Sequence, residues 1–245
     1  MRSSQLALQQ YDSDKISARY LEQYDPILEP WLDRNIVLLE LGVHKGGSLL
    51  LWRDYFPSGT IVGVDISLPK NFPATERVHL FEGSQADTQF LSRIANEMAP
   101  DGFDIIIDDA SHIGELTKIA FWHLFDNHLK PHGLYVLEDW GTGYWDDWPD
   151  GKRLSLETYN ISDFARTPLW LKTKRMARKL GLRIPWRDHS YGMVGFVKQL
   201  IDEQAAHDVT KRLKGKSKRR SRFERMVITP SIVFITKANH QSETD

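Results

Sequence analysis

The feature that most constrains the fold is an alternation of short apolar segments with segments of helical spacing along the first 140 residues. The apolar segments predict five buried strands, at Ile36–Leu41, Thr60–Asp65, Val78–Glu82, Phe103–Ile107 and Leu134–Leu137. The intervening segments predict helices at Gly46–Tyr55, Thr88–Met98 and Ile113–Asn127. Because strands that alternate with helices form parallel sheets through right-handed crossovers, the pattern predicts a doubly wound, Rossmann-like α/β sheet.

The end of the chain follows a different pattern. Two short strands are predicted at Met226–Ile228 and Ile232–Thr236, and only three residues separate them. Since this gap is too short for a crossover helix, the pair must be an antiparallel hairpin. Residues 141–190 are rich in Trp, Gly, Pro and Arg and predict an insertion or lid, followed by a helix at Tyr191–Ala206.

These patterns divide the chain into five predicted parts. They are an N-terminal helical segment (1–34), a Rossmann-like cofactor-binding core (35–140), an insertion with its helix on the acceptor side (141–206), a basic loop (207–224) and the terminal hairpin with its tail (225–245).

The absence of cysteine excludes several classes of site. With no Cys in 245 residues, the chain has no disulfide, thiolate zinc site, iron–sulfur cluster or cysteine nucleophile. No apolar run approaches the roughly 20 residues that span a bilayer. The polar stretch Met1–Asp14 has no apolar core of a secretory signal, so we expect a soluble cytoplasmic protein without a membrane span.

Charge is distributed unevenly along the chain. Residues 1–150 carry 24 acidic and 11 basic side chains, whereas residues 151–245 carry 9 and 21. The densest basic run, Lys211–Arg222, is either a solvated loop or a site for an anionic partner. No helix-turn-helix, zinc-finger or RNA-stacking motif lies beside it, so we do not expect a nucleic-acid partner.

A glycine-containing turn follows the first predicted strand. Gly42, Gly46 and Gly47 allow the backbone to turn sharply before a helix whose N-terminal N–H groups are free to bind an anion. The spacing is neither G-x-G-x-x-G nor a P-loop. Asp65, at the end of the second strand, is placed to accept ribose hydroxyls. Together these features predict an adenosine-bearing cofactor; the alternative is a structural turn and a surface aspartate.

Acidic residues follow the fourth and fifth predicted strands. Asp108 and Asp109 end the fourth strand, and Glu138 and Asp139 end the fifth. Parallel strands end at one edge of the sheet, where ligands bind, and clustered carboxylates favour a hard cation such as Mg²⁺. His112, three residues after Asp109, is placed to act as a general base. The alternative for His112 is that it caps a helix or is solvated. The alternative for Glu138 and Asp139 is that they form the solvated start of a loop.

This order of motifs resembles class I S-adenosylmethionine-dependent methyltransferases over roughly residues 35–140 and 225–237. The run Asp108–His112, followed by Glu138 and Asp139, looks like the Mg-dependent sugar O-methyltransferases of macrolide tailoring (the mycinamicin type). Ser13–Lys15 and Gly83–Asp87 are similar to two further motifs of that group. Cephalosporin-hydroxylase-like proteins share the carboxylate pattern.

The resemblance implies a seven-stranded sheet, S-adenosylmethionine as methyl donor and a Mg²⁺ ion held by Asp109, Glu138 and Asp139. It also implies that His112 is the base and that the acceptor is a small glycoside or another hydroxylated natural product, bound by a homo-oligomer. The implied cofactor-binding residues are Glu40, Gly42, Lys45, Gly46, Ser48, Asp65, Ile66, Ser84, Gln85, Asp87 and Asp108. Ser84 departs from the group's pattern, which has an acid there.

Other functions stay open at this point. The alternative acceptors for a methyltransferase are a catechol, a polyketide and a lipid-linked glycan. A nicotinamide-dependent oxidoreductase is disfavoured by the absence of G-x-G-x-x-G and by the terminal hairpin. A non-catalytic binding module has no need of His112 beside the carboxylates. The aromatic residues Trp140, Tyr144, Trp145 and Trp148 either stack on the acceptor or pack the insertion.

Overall fold

The computed structural model describes residues 2–145, 147–151, 192–211 and 219–239, and they form one seven-stranded sheet with helices on both faces. The strands are β1 Val37–Leu41, β2 Thr60–Asp65, β3 Val78–Glu82, β4 Phe103–Asp108, β5 Leu129–Glu138, β6 Phe223–Ile228 and β7 Ile232–Lys237. Their spatial order is β3-β2-β1-β4-β5-β7-β6, with β7 antiparallel to both of its neighbours. The predicted Rossmann-like sheet with a C-terminal antiparallel hairpin is confirmed.

Seven α-helices lie in the part of the chain that the structure describes. They are α1 Asp14–Ser17, α2 Leu21–Leu28, α3 Gly47–Tyr55, α4 Thr88–Met98, α5 Gly114–Asn127, α6 Gly192–Gln204 and α7 Ala206–Thr210. A 3-10 turn, Trp140–Tyr144, follows β5. The helix predicted at Tyr191–Ala206 corresponds to α6, and the chain turns at Ala205 before α7 begins.

The sheet is buried on both faces, which explains the nearly continuous apolar runs of its central strands. Neighbouring residues of β1 point in opposite directions, so Leu39 packs against α4, α5 and α6, while Leu38 packs against α3 and the N-terminal helices. The two core clusters therefore fill the space between the sheet and the helices on each of its two faces.

The fifth strand begins earlier than the sequence predicts. It starts at Leu129 instead of Leu134: Leu129 pairs with Phe103, the register then shifts before Leu134 pairs with Ile105, and two of the four residues between them are exposed. Pro131 and Gly133 are unfavourable in a regular strand, so the sequence shows no continuous apolar run over this exposed start of β5.

Several predictions fall outside the described residues or stay untested. Most of the insertion at 141–190 and residues 212–218 of the basic run lie outside the described residues. The division of the chain into five parts stays a prediction. Among the described residues, no helix is long and apolar enough to cross a bilayer.

Candidate active site

A cleft of about 780 Å³ lies at the carboxyl edge of the sheet, where β1, β2, β3 and β4 end. Loops from each of the first four strands and the segment before α1 contribute to its walls. Seven of the residues predicted to bind a cofactor line it: Gly42, Lys45, Ser48, Asp65, Ile66, Ser84 and Gln85. Asp109 and His112 line the same cleft, whereas the predicted metal ligands Glu138 and Asp139 are not among its lining residues, so the cavity reaches part of the predicted acidic site.

The glycine turn is shaped by a close backbone contact. Gly42 has a φ of +94°, and a Cβ there would lie 2.1 Å from the carbonyl oxygen of Asp109. Only glycine satisfies both conditions. The cofactor loop after β1 and the acidic loop after β4 therefore meet backbone to backbone, with no side chain between them.

Asp65 holds the glycine turn from the neighbouring strand. Its Oδ2 accepts the backbone N–H groups of Val43 at 2.7 Å and His44 at 3.0 Å. Its partial burial opposes ionisation, but these backbone donors prevail and hold the pKa of Asp65 below its usual value. The carboxylate is therefore charged and fixed at the wall of the cleft.

Four of the predicted cofactor residues lie outside the lining of the cleft: Glu40, Gly46, Asp87 and Asp108. Glu40 is fully buried and accepts hydrogen bonds from Ser48 Oγ at 2.7 Å and Trp52 Nε1 at 3.2 Å. Asp87 caps the N-terminus of α4, accepting from the N–H groups of Gln89 and Phe90.

Asp108 is one of these four and is buried behind Gln85 and Tyr135, which lie 3.4 and 3.3 Å from its oxygens. Burial raises the pKa of Asp108 to about 7. Glu40, Asp87 and Asp108 thus lie outside the lining of the cleft. Their direct contact with a cofactor stays a prediction.

A second group of side chains forms a candidate metal centre. Asp109, His112 and Asp139 each offer one ligand atom, and these atoms lie within 4.8 Å of one another. His112 Nε2 is 3.7 Å from Asp109 Oδ1 and 3.9 Å from Asp139 Oδ2. The carboxyl ends of β4 and β5 therefore bring together residues that are up to 30 positions apart in the chain.

A buried lysine, to which the sequence analysis gave no role, lies at the centre of the acidic residues. Lys15 Nζ lies 2.6 Å from Asp109 Oδ2, 2.8 Å from Glu138 Oε2 and 3.3 Å from Glu40 Oε1, with its side chain fully buried. Burial alone would lower the pKa of Lys15, but the three carboxylates raise it well above its usual value. Lys15 is therefore a cation inside the protein.

Two tyrosines complete this arrangement. Tyr24 donates its hydroxyl to Glu138, and Tyr20 donates to Asp139. Glu138 thus has both oxygens engaged, by Tyr24 and Lys15, and burial together with Asp109 raises its pKa to about 8. Its role as a metal ligand stays a prediction. In the sequence, the signal for Lys15 and the two tyrosines was the motif Ser13–Lys15. The acidic residues that they contact after β4 and at the end of β5 lie about a hundred residues further along the chain.

Three of the five non-glycine residues with positive φ in the described part of the chain lie at the same edge. His44, His112 and Asp139 have φ values of 47°, 50° and 51°, in the left-handed region that non-glycine residues seldom adopt. They lie in the loops after β1, β4 and β5 respectively. Such conformations persist where the surrounding structure fixes them, and they cluster at active sites.

The aromatic residues after β5 have different roles. Trp140 donates its indole N–H to the carbonyl of Thr229 at 2.9 Å, and Trp148 donates to the carbonyl of Ser111 at 3.3 Å. Both indoles are therefore tied to the backbone. Trp145 is 55% exposed and does not line the cleft, so stacking of this group on the acceptor stays a prediction.

The chain is similar in sequence to sugar O-methyltransferases. It is 38% identical over 152 residues to the mycinamicin VI 2''-O-methyltransferase of Micromonospora griseorubida, covering 55% of this chain and 37% of the relative. It is 45% identical over 114 residues to the 8-demethyl-8-(2-methoxy-alpha-L-rhamnosyl)-tetracenomycin-C 3'-O-methyltransferase of Streptomyces olivaceus, covering 44% and 28%. No profile of a known protein family matches the chain.

The chain is also similar in structure to the mycinamicin methyltransferase MycE, solved with Mg and SAH. The TM-score is 0.63 at 27% identity, covering 92% of this chain and 53% of MycE. Another MycE structure also contains mycinamicin VI. The chain therefore has the class I methyltransferase fold, and it spans between about a quarter and about half of the length of these relatives.

Proposed function

We propose, from the class I methyltransferase fold and the likeness to sugar O-methyltransferases, that the chain transfers a methyl group from S-adenosylmethionine to a sugar hydroxyl of a natural product, with Mg²⁺ assisting. The observation that carries the proposal is that one cleft is lined by the glycine turn and Asp65 at one part, and by Asp109 and His112 at another. A methyl donor and an acceptor hydroxyl bound in such a cleft are held next to each other, and orientation contributes much of the rate of a transfer between two bound groups.

The cleft fits an adenosine-bearing donor. Gly42 leaves the backbone bare beside the cavity, and Asp65 presents a charged carboxylate to it. Oδ1 of Asp65 accepts the N–H of Ser67 at 3.1 Å, and a carboxylate oxygen can accept a further donor such as a ribose hydroxyl. Ile66, which is 76% exposed beside Asp65, offers an apolar surface for a base.

The acidic cluster fits a divalent cation. Three carboxyl groups, from Glu40, Asp109 and Glu138, contact the buried Lys15 ammonium group, and a fourth, from Asp139, lies beside Asp109 and His112, so acidic groups outnumber the cation. Carboxylate oxygens are ligands that suit Mg²⁺. When bound by Asp109, Asp139 and Glu138, the ion would orient the acceptor oxygens and lower the pKa of the hydroxyl.

The protein's own residues carry the remaining steps. Nε2 of His112 faces Asp109 and Asp139, and it receives the hydroxyl proton as the oxygen attacks the methyl group. Lys15 and Tyr20 hold Asp109 and Asp139 in place from the protein side. The low exposure of the His112 side chain, 12%, limits competing water.

The first experiment is calorimetric titration of S-adenosylmethionine, in Mg²⁺ and then in EDTA, followed by methyl-transfer assays on a panel of deoxysugar-bearing macrolides, glycosylated polyketides and catechols. We expect donor binding in both conditions, and turnover of a glycoside only with Mg²⁺. Absence of donor binding in both conditions would refute the methyltransferase, and full turnover in excess chelator would refute the role of the metal. Turnover of catechols alone would replace the sugar acceptor.

Asp139→Asn tests the cluster directly. Asparagine tolerates the left-handed backbone at this position but is neutral, so the change removes charge and leaves the fold. We expect Mg²⁺-dependent turnover to fall by about 10- to 100-fold or more, while the Kd for S-adenosylmethionine changes less than about twofold. The matched control is Asp147→Asn, at an exposed carboxylate outside the cleft, which should keep wild-type turnover.

A further inference from the structure

The loop that carries His112 connects β4 to α5 and is held by side chains from elsewhere in the chain. Gln85 Oε1 accepts the N–H of Ser111 at 3.1 Å, and Ser111 Oγ accepts the N–H of Ile113 at 3.2 Å. His112 itself has a left-handed backbone with φ of 50°. A non-glycine residue in that region is strained, so the neighbouring contacts must fix it.

The strongest of these contacts comes from Asp150. A single oxygen, Oδ2, accepts the N–H of Gly114 at 2.8 Å and the N–H of Met193 at 2.8 Å. These donors belong to the first turns of α5 and α6. Ile113, the residue before α5, has no polar side chain to cap the helix. Asp150, which is 8% exposed, therefore supplies one carboxylate to two helix N-termini, where negative charge is favourable.

Two glycines make this arrangement compact. A Cβ on Gly114 would lie 2.0 Å from the carbonyl carbon of Gly192, and a Cβ on Gly192 would lie 2.4 Å from Cγ of Asp150. Gly192 also has a φ of +60°. The starts of α5 and α6 therefore touch through their backbones with the carboxylate against them, which leaves little room for the start of α5 to move.

Trp148 holds the other side of His112. Its indole Nε1 donates to the carbonyl of Ser111 at 3.3 Å, and its ring lies 5.7 Å from the imidazole at an angle of 47°. The peptide before His112 is therefore bound by Trp148, and Gly114, two residues after it, is bound by Asp150. Both side chains come from the short segment Asp147–Gly151.

We infer that Asp150 and Trp148 are positioning residues for His112: the segment Asp147–Gly151 fixes the orientation of the imidazole toward Asp109 and Asp139. The inference rests on the proposed function in that it takes His112 as the base. The physical arrangement of the loop can be tested without any acceptor, so the two can fail separately.

The first test is NMR of the protein labelled with ¹³C in its histidine rings, with His112 assigned from His112→Asn. In Asp150→Ala we expect the Cε1–Hε1 signal of His112 to shift or broaden, because the loop loses its anchor at Gly114. Asp150→Asn, whose amide oxygen can still accept both N–H groups, should keep the wild-type position. Asp147→Ala is the control, since Asp147 is exposed in the same segment.

The second test is kinetic and uses whichever acceptor the wild type turns over. Misplacing a catalytic group by about 1 Å costs up to about 100-fold in rate, so we expect Asp150→Ala to lower kcat by about 10- to 100-fold with the Kd for S-adenosylmethionine within twofold. Asp150→Asn should recover most of the loss. Trp148→Phe keeps the ring beside His112 but removes the indole N–H, and it should lower kcat less than Asp150→Ala.

Thermal unfolding separates positioning from loss of fold. If Asp150→Ala does not fold, Trp148→Phe and Asp150→Asn decide the question. An unchanged His112 signal together with unchanged kcat in folded Asp150→Ala, or in Trp148→Phe if that is the variant that folds, would overturn the inference. A shifted His112 signal in a protein whose wild type neither binds the donor nor methylates any acceptor would uphold the positioning and refute the proposed function.

Discussion

Lys15 shows how a single residue determines the electrostatics of the site. Its ammonium group has no access to water and contacts three carboxyl groups, from β1, β5 and the loop after β4. Removing one partner of a buried ion pair leaves the others uncompensated in a low dielectric, which is strongly unfavourable. The same carboxylates without Lys15 would repel one another.

We therefore expect Lys15→Met to lower the free energy of unfolding by about 3–5 kcal/mol in EDTA. Urea unfolding at neutral pH measures the change. The matched control is Lys45→Met, because Lys45 pairs with Asp12 at the surface and is 62% exposed, so its loss should cost about 1 kcal/mol or less. Equal effects of the two substitutions would contradict a stabilising role for the buried cation.

The sequence allowed the acidic residues to be found but not their partners. Asp109, His112 and Asp139 follow from the rule that parallel strands end at one edge of the sheet, and the structure brings them together. Lys15 comes from a helix of four residues whose packing no local pattern encodes. Glu40 and Asp108 were assigned to the cofactor by resemblance, because sequence does not reveal that their side chains turn into the protein interior.

At the scale of elements, α4 and α5 are joined by a polar contact on the face that otherwise packs through apolar residues. Ser92 Oγ of α4 lies 2.8 Å from Nε2 of His123 and 3.0 Å from Nε2 of His128. Burial lowers the pKa of both histidines, and His123 and Lys237 lower that of His128 further. Both rings are therefore easier to protonate in the unfolded chain.

This difference predicts a pH dependence of stability. As the pH falls below about 6.5, the ordinary value for histidine, the unfolded chain binds protons before the folded protein does, so the free energy of unfolding decreases toward the lower folded pKa values. Urea unfolding between pH 8 and pH 5 measures the slope. His128→Gln should reduce it, whereas His79→Gln, at an exposed position on β3, should leave it unchanged. An identical slope in all three proteins would exclude this contribution.

Element boundaries were predictable where turn residues mark them. β2, β3 and α4 have the bounds that the sequence predicts, because apolar runs end there at Gly, Pro or Asp. The beginning of β5 was not predictable, because its exposed residues break the apolar pattern. The short helix α1 was hidden for the opposite reason, because four residues are too few for a helical period to show.

At the scale of the whole molecule, one sheet separates two apolar core layers, one on each of its faces. Leu38 and Leu39 are adjacent in β1, each with at most 1% of its surface exposed, and they face different layers. Both layers pack on the same hydrogen-bonded sheet, so we expect the loss of one layer to destabilise the other.

We therefore expect Leu38→Ala and Leu39→Ala each to lower the free energy of unfolding by about 2–5 kcal/mol, in one cooperative transition with an unchanged urea dependence. Ile228→Ala, at a residue that is 42% exposed, should cost much less. A two-step transition in either leucine variant would mean that the two layers unfold independently.

The position of Lys15 also has a consequence for synthesis of the chain. Glu138, one of its partners, is 123 residues further along the sequence. At about 5–20 residues per second, the ribosome takes roughly 6–25 seconds to add that stretch. During this interval Lys15 has no Glu138 to bind, so its ammonium group must stay in water. We therefore expect the segment around Lys15 to dock late, after β5 has emerged and joined the sheet. Lys15 would then become buried only in a sheet that has already assembled.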